Sequence, residues 1–469
     1  MIPALIGTLA IVTQDHAALR SAPRTNATEL VRLWEGDVLE VRGEVAGYLK
    51  VYDTHRERGG YLRADAAHAV ELSPAAAPEL LAVLRFLRDR PGSETLGISY
   101  GAAYLRAAPA QALDAEPFEA IARMAERLAD QASGSAEHLA DFAPHLDVVA
   151  QFGVRMRELE RNGRMRVCYD GELYRRVLSF AKAAPQAQAS AVLGLTRPDC
   201  IEPDLGPVPR AALDADRARL LERVKEADLD VLTRSRLHAR AAGVWAAIAY
   251  EQDRRAQSSA AGEAAERARE ELLAVHPDEL GEDRRAEYLD AVLRVSAVRW
   301  AGAAPVRPEG QLRVSVAPGD PGQTCLAVED TRRRPVAVLL RRCTYGIVRL
   351  ASVRSIAADT ALLLAVQPLE SWRELWVVHR SQRAWTIDVL SPGLEDPEEG
   401  YIEFAGYVPG SRRLLIAREV KVRGRFRRSF EELRLDDLAL MCQASSPELL
   451  RDFGRWQDAT WRRDTLALH

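Results

Sequence analysis

A serine within the stretch G97-I-S-Y-G101 has the residue types of a nucleophile motif. The letters fit the G-x-S-x-G turn of serine hydrolases, in which a buried strand delivers the serine to a sharp turn and a helix follows. Here a loop-like R-P-G-S-E-T stretch precedes the motif, and alanines of helical character surround the remainder. Because the required strand is missing from this pattern, we predict no catalytic role for Ser99.

Cysteine chemistry is the second candidate, at Cys200 in D199-C-I-E-P-D204. A catalytic cysteine should open an apolar helix, whose dipole lowers the thiol pKa, and should have a histidine on a downstream strand. The residues after Cys200 are E-P-D-L-G-P-V-P, which cannot form that helix, and His238 and His276 fall in helical patterns. A cysteine hydrolase is therefore not predicted.

His138 and His145 are the third candidate, as ligands in a zinc amidase. Such a site needs two or three histidines and a carboxylate around one open position. The two histidines lie two helical turns apart, and Pro144 interrupts between them. This spacing favours histidines that lie on the surface, or that are hydrogen-bonded in the core, over metal ligands. The chain also has no phosphate-binding glycine loop and no dinucleotide fingerprint, so we predict neither a metal nor a cofactor.

The composition is that of a soluble protein with more than one domain. With 469 residues, 47% of them hydrophobic, the chain can form about two to four cores. Its 64 basic and 68 acidic residues nearly balance and are mixed, which argues against nucleic acid or an anionic membrane as a partner. No apolar run approaches the ~18 residues of a membrane span. The stretch V422-R-G-R-F-R-R428 is interpreted as an outer hairpin rather than a polyanion site.

The 5 cysteines bear on the compartment. Cys325 and Cys343 flank T-R-R-R-P, and a hairpin turning there would bring them within disulfide reach. Cys168 and Cys200 are a weaker candidate pair, which leaves Cys442 free. This cysteine usage favours an oxidising compartment.

The segment from Gly7 to Leu72 carries short period-two runs separated by glycine-bearing turns, which predicts several short strands. In order, it contains A-x-L-R-x-x-P from Ala17, L33-W-E-G-D-V-L-E-V41, Y48-L-K-V51 and G60-Y-L62. This order and spacing resembles the bacterial SH3 (SH3b) family, over this segment alone. The resemblance implies a small SH3-like β-barrel that binds cell-wall peptides or protein partners.

Aromatic and polar residues of this segment are candidate ligand contacts. They are Trp34, Tyr48, Lys50, Tyr52 and Tyr61. Strand alternation places Leu49 and Val51 in the core, so the strand residues at 48, 50 and 52 point to the opposite side. Aromatic side chains that also carry a hydroxyl or N–H group are suited to peptide or glycan binding. The alternative is that these rings fill the thin core of a small domain.

From Glu79 to about Gly302, apolar residues recur at intervals of three and four residues, as in Leu81, Leu84 and Leu87. This spacing predicts a helical domain. The pair A239–Y250 and A264–P277 resembles a tetratricopeptide helix hairpin with small residues at its crossing points. The resemblance covers one repeat, so we predict helical hairpins and leave a repeat array open.

Strands return from Ala304. Three stretches share a pattern of turn, aliphatic strand, polar turn and strand, with Leu326, Leu363 and Leu415 at equivalent places. They resemble part of a β-propeller, but they are too few for a closed ring, and we favour an open or sandwiched antiparallel sheet. Residues 461–468 are expected to form a last strand.

The sequence therefore predicts a multidomain α+β protein. Its parts are an SH3b-like barrel at 1–75, helical hairpins at 76–303 and a β-rich, propeller-like domain at 304–469. We expect a non-enzymatic bacterial envelope adaptor that binds a protein partner or a peptidoglycan peptide. Alternatives are a peptidoglycan hydrolase with unrecognised catalytic residues and a cytoplasmic interaction scaffold.

The periplasm is the expected compartment, with an export signal removed from, or lying outside, this sequence. The apolar opening MIPALIGTLAIV lacks a basic flank and a cleavage motif, so we expect a first strand there rather than a signal.

Overall fold

The computed structural model describes residues 7–161, 163–306, 310–356, 360–381, 384–393, 399–422 and 424–465. In these ranges the protein is mixed α and β, as the sequence predicts, and its strands pair antiparallel except where Trp372 and Arg373 pair in parallel with Gly400 and Tyr401. The chain divides by compactness into two units: Met1–Gly206 with Leu220–Thr233, and Pro207–Arg219 with Arg234–His469. The boundaries of the three predicted domains stay a prediction.

The first unit begins with a seven-stranded sheet. Its strands are β1 (Thr8–Val12), β2 (Ala17–Arg20), β3 (Glu29–Leu33), β4 (Val38–Val45), β5 (Tyr48–Asp53), β6 (Arg58–Arg63) and β7 (Ala67–Glu71). They lie in the order β3-β2-β6-β5-β4-β1-β7. Alternation buries Leu39 and Val41 of β4 with Leu49 and Val51 of β5 in one core, as the period of two predicts.

Helices follow the sheet in the first unit. They are α1 (Ala77–Leu87), α2 (Glu94–Ala107), α3 (Ala115–Ala132), α4 (Ala136–Ala150), α5 (Glu172–Ser179) and α6 (Pro185–Leu195). The side chains of Asp114 and Ser135 cap α3 and α4 by accepting hydrogen bonds from backbone amides of the first turn. Leu84 of α1, Ile98 of α2 and Met124 of α3 pack in one buried cluster.

A two-stranded hairpin, β8 (Met156–Arg161) and β9 (Arg164–Tyr169), lies between α4 and α5. The prediction of an all-helical central segment is corrected here. Gly163 supplies the left-handed turn (φ +70°), and β9 buries Val167 and Cys168. Strands this short leave too few periods to stand out in a helical background.

The second unit contains helices that precede its sheets in the chain. The helices with residues in it are α7 (Pro207–Glu222), α8 (Val231–Arg254), α9 (Ser258–Leu273) and α10 (Glu282–Val298). Ala242 and Ala246 of α8 pack in one core with Ala261, Ala264 and Ala268 of α9. The buried residues of both helices in this core include several alanines, and the helix-hairpin resemblance stays a prediction.

Two sheets complete the second unit. The three-stranded sheet has the order β10-β11-β12, with β10 (Leu312–Pro318), β11 (Thr324–Asp330) and β12 (Ala337–Thr344). The larger, eight-stranded sheet has the order β13-β14-β15-β17-β18-β19-β20, with β16 paired to β15. Its strands are β13 (Ile347–Ile356), β14 (Ala361–Leu369), β15 (Trp372–Ser381), β16 (Ala384–Leu390), β17 (Glu399–Val408), β18 (Arg413–Val422), β19 (Arg425–Arg434) and β20 (Leu440–Ala444).

The described chain ends in two short helices, α11 (Arg451–Trp456) and α12 (Ala459–Asp464). The last strand predicted from Trp461 is wrong for the described residues. Asp458 caps α12 by accepting a hydrogen bond from the Trp461 amide at 2.9 Å, and a helix start is thereby stabilised where a strand was expected. The remainder of the predicted strand, from residue 466, lies outside the described residues.

Both candidate cysteine pairs are joined by disulfide bonds in the structure. Cys168 of β9 is bonded to Cys200, with Cα atoms 5.8 Å apart. Cys325 of β11 and Cys343 of β12 are bonded directly across the hairpin, where they are register partners. Cys442 is free and exposed. None of the described helices is long and apolar enough to cross a lipid bilayer.

Candidate functional site

The W34-E-G-D37 turn between β3 and β4 positions the indole of Trp34. Asp37 is buried, and its Oδ2 accepts a hydrogen bond from the Trp34 amide at 2.9 Å. The Gly36 amide donates to the carbonyl of Val12, and the Val12 amide donates to that of Asp37, both at 2.9 Å. The turn is therefore tied to β1 at two points, which limits how far the indole can move.

The buried charge of Asp37 is balanced by Arg56. Nη1 of Arg56 lies 3.1 Å from Asp37 and 2.7 Å from Asp53, whose side chain is also buried. A guanidinium shared by two buried carboxylates offsets much of the cost of removing them from water. The same residues thus keep the turn rigid beneath Trp34.

Helix α2 packs directly on this turn. Ser99 is fully buried and its Oγ donates to the carbonyl of Gly36 at 2.7 Å. Gly36 has φ +87°, and a Cβ there would lie 2.8 Å from Ser99 Oγ and 2.9 Å from Thr95. Ser99, the serine of the G-x-S-x-G letters, therefore holds the Trp34 turn against the helix.

The glycines of that motif have a packing role as well. A Cβ on Gly97 would lie 2.4 Å from Met124, and one on Gly101 would lie 2.6 Å from Ile121. Both partners belong to α3, so the two glycines allow α2 and α3 to approach closely. This explains the G-x-S-x-G pattern without a nucleophile elbow.

Two histidines pack against Trp34. The His16 ring lies 4.4 Å from the indole and the His145 ring 5.5 Å, both in edge-on geometry. His145 belongs to α4, and its Nε2 lies 3.8 Å from Asp15 Oδ2 while its Nδ1 lies 3.4 Å from the Thr95 hydroxyl. We call Trp34, His16, His145, Asp15 and Glu35 the Trp34 cluster.

Glu35 is the electrostatically unusual member of the Trp34 cluster. Its backbone amide donates to Asp15 Oδ1 at 3.0 Å. Burial raises the pKa of the Glu35 carboxyl, and the negative charges of Asp15 and Glu94 raise it further, from 4.5 to about 7. Glu94 is itself buried and paired with Arg127 at 2.8 Å. The Glu35 carboxyl therefore changes its charge near neutral pH.

This arrangement can bind a ligand that carries a positive charge and an apolar part. An indole face attracts cations, and a carboxylate near its ionisation midpoint gains charge when a cation arrives. Within the described ranges no group of histidine, cysteine and carboxylate side chains is placed to hold a metal ion.

The other predicted contact residues differ in exposure and have neighbours of their own. Tyr48 is 7% exposed, so the expectation that it shares an open face with Lys50 and Tyr52 is corrected. Lys50 is exposed and pairs across the strands with half-buried Tyr61, while the guanidinium of Arg42 stacks 4.0 Å from the Tyr52 ring. Alternation predicts the side to which a residue points, but not what covers that side.

The remaining chemical candidates have structural partners. His138 Nε2 lies 2.7 Å from the Gln131 carbonyl, and its ring packs 5.0 Å from Phe142. Helix α4 continues through Pro144, so both histidines lie on one helix. Sequence reasoning missed Glu35 and His16, although the position of Glu35 next to Trp34 in W-E-G-D was a visible signal.

Comparisons with protein-family models, with curated proteins and with solved structures found no match to this chain. The Trp34 cluster is therefore interpreted from its own geometry and from the SH3b-like order of residues that surrounds it.

Proposed function

We propose that this chain is a non-enzymatic bacterial envelope adaptor whose SH3b-like amino-terminal module binds a peptide through the Trp34 cluster. The observation that carries the proposal is the half-buried indole of Trp34, which stands on a turn fixed by buried Asp37 and Ser99, with Asp15 bonded to the Glu35 amide of the same turn. A rigid aromatic anchor beside polar groups is typical of a recognition site.

The favoured ligand is a cell-wall peptide or a protein segment that presents an ammonium or guanidinium group. Burial first, and then repulsion by the negative charges of Asp15 and Glu94, raises the pKa of Glu35. A ligand cation relieves that repulsion and lies near the indole, so that Coulomb and cation–π attraction act together. Helices and the β-rich part then serve as the spacer and the second contact surface of the adaptor.

Replacing Trp34 with alanine is expected to weaken binding to purified peptidoglycan, or to a lysine-containing peptide, by at least about tenfold, because an aromatic anchor is lost. The measurement is sedimentation with peptidoglycan together with titration calorimetry. Phe86→Ala is the matched control, since Phe86 is an aromatic residue of the same unit that is 59% exposed and lies on α1. Equal binding of Trp34→Ala and parent, or no binding by the parent, contradicts the proposal.

Binding of the cationic peptide is expected to strengthen as the pH rises from 6 to 8. Because the pKa of Glu35 is raised to about 7, its carboxyl is mainly neutral at the lower pH and mainly charged at the higher one. Ionisation of this one group allows an affinity gain of up to about tenfold. Glu35→Gln removes this ionisation, and an equally steep pH profile in that variant would exclude Glu35.

The two disulfide bonds support an oxidising compartment such as the periplasm. Protein purified without reductant and then denatured is expected to give one free thiol per chain, from Cys442, and five after reduction. A thiol-reactive dye measures both values. Five thiols before reduction would instead favour the cytoplasmic scaffold.

One observation favours a second candidate function. A half-buried carboxyl with a pKa of about 7 beside a second carboxylate, Asp15, has the properties of a general acid–base pair. A peptidoglycan hydrolase would release soluble fragments from the wall material used in the binding experiment. Release that disappears in Glu35→Gln would replace the adaptor with this enzyme.

A further inference from the structure

The second unit contains a cavity of about 610 Å³ beside helices α9 and α10. This volume lies in the range of ligand pockets, about 300–1,000 Å³. Apolar walls come from Ala265, Leu273, Val295 and the ring of Trp300. Leu273 is 61% exposed, so its apolar side chain is accessible to a ligand in the cavity.

A smaller cavity of about 30 Å³ shares a wall with the large one, because Arg299 and Trp300 line both. Its lining is rich in arginine, with Arg354 and Arg373 in addition to Arg299. The guanidinium of Arg299 stacks 4.5 Å from the Trp300 ring and that of Arg354 lies 5.8 Å from it. We call this smaller cavity the arginine niche.

The charges of the arginine niche do not balance. Three guanidinium groups, of Arg299, Arg354 and Arg373, face two carboxylates, of Glu403 and Asp458. One of these carboxylates is shared, since Glu403 accepts from both Arg299 and Arg373. Asp458 caps α12 and lies 4.0 Å from Arg354, at the outer limit of an ion pair. Counted over its described lining residues, the niche therefore has one more positive charge than negative, in a partly buried place where charge is weakly screened.

One donor in the niche is unsatisfied. Arg373 is fully buried, and within the described part of the chain its Nε has no hydrogen-bond partner. Its other nitrogens are used, by Glu403 and by the Ser296 carbonyl at 2.6 Å. Buried polar groups are nearly always paired, so the unpaired Nε leaves the buried guanidinium of Arg373 incompletely satisfied and adds to the positive character of the niche.

We infer that the two cavities form one binding site for a small amphipathic carboxylate. Its carboxylate lies at the mouth of the arginine niche, against Arg299 and Arg354 and towards Arg373. Its hydrocarbon part lies in the large cavity, against Leu273, Val295 and the Trp300 ring. Guanidinium groups bind carboxylates well because their donors match the two oxygens. This site is independent of the Trp34 cluster and of the peptide proposed there.

Octanoate and 2-naphthoate are suitable probes, as an aliphatic and an aromatic carboxylate, with octylammonium as the matched cation. Titration calorimetry of the full chain at constant ionic strength is expected to show one site for at least one carboxylate, and at least about tenfold weaker binding of octylammonium. No binding of either carboxylate, or equal binding of the cation, overturns the site.

Two variants test the two parts separately. Leu273→Asp places a negative charge, like that of the ligand, in the large cavity and is expected to weaken carboxylate binding at least about tenfold. Its control is Leu449→Asp, at a leucine that is 71% exposed and outside both cavities, and this variant should bind the carboxylate as the parent does. Arg354→Gln is expected to weaken it by about tenfold, and Arg462→Gln, an exposed neighbour outside the lining, by none.

Leu273 and Leu449 are both exposed, so neither aspartate should prevent folding, and circular dichroism checks this for all four variants. Equal affinity of Leu273→Asp and Leu449→Asp overturns the placement of the hydrocarbon part. Equal affinity of Arg354→Gln and Arg462→Gln overturns the placement of the carboxylate.

Discussion

Glu403→Gln is expected to lower the free energy of unfolding by about 3–5 kcal/mol at pH 7, because it breaks a buried ion pair by removing one partner. Glu403 is 7% exposed and accepts from Arg373, from Arg299 and from the indole of Trp461 at 3.0 Å. Glutamine keeps the shape but leaves two guanidinium groups without a counter-charge. Urea unfolding followed by circular dichroism gives the change in free energy.

Asp436→Asn is the matched control for that experiment. Asp436 pairs with Arg412 at 2.8 Å in the same unit, but both side chains are exposed, at 59% and 45%. Exposed pairs contribute about 0–1 kcal/mol, so this variant should unfold nearly as the parent does. If Glu403→Gln and Asp436→Asn lower the free energy of unfolding equally, burial does not make the ion pairs of Glu403 more stabilising than an exposed pair.

The pH dependence of Glu403→Gln has a definite sign. Burial alone would raise the pKa of Glu403, but the guanidinium groups of Arg299 and Arg373 outweigh it and hold the pKa below the ordinary 4.5. A lowered carboxyl pKa stabilises the fold above the unfolded value, and that stabilisation is lost as the pH falls through the folded value. The difference between parent and variant should therefore shrink below about pH 4.5.

Gly36→Ala is expected to lower the free energy of unfolding by about 2–4 kcal/mol and to abolish peptide binding, through backbone strain together with overpacking. The left-handed φ of +87° is costly for alanine, and its Cβ would lie 2.9 Å from the backbone oxygen of Thr95 on α2. Relief of that clash moves the turn that carries Trp34. Urea unfolding and the peptidoglycan assay measure the two effects.

Gly47→Ala separates the two causes. Gly47 also has a left-handed φ, +75°, but a Cβ there meets no atom within 4 Å. Gly47→Ala should therefore lower the free energy of unfolding only by the cost of the left-handed backbone conformation, about 1–2 kcal/mol, and should still bind the peptide. If Gly36→Ala and Gly47→Ala lose the same stability and both bind, the contact between the turn and α2 does not position Trp34.

Local patterns predicted the elements of this fold. The period-two runs at Leu39 with Val41 and Leu49 with Val51 lie on β4 and β5, and the helical spacing of Leu84 and Leu87 lies on α1. Such patterns succeed because a strand or helix needs one apolar face, whatever partner covers it. Where the pattern was short, at β8–β9 and at α12, tertiary contacts and a capping side chain decided instead.

The candidate site depended on contacts that no local pattern encodes. Trp34 and Glu35 were visible in one turn, but His145 reaches them from α4 and Glu94 from α2. Burial of Tyr48 and the raised pKa of Glu35 likewise depend on neighbours distant in the chain.

The sequence by itself determined the mixed α and β character, the apolar faces of β4, β5 and α1, and the cysteines near enough to pair. Only the tertiary structure decided that Ser99 is structural, that Tyr48 is buried, and that Arg299 and Arg373 share the carboxylate of Glu403. The physical reason is that periodicity records which face of an element avoids water, whereas electrostatics and packing are set by residues that folding alone brings together.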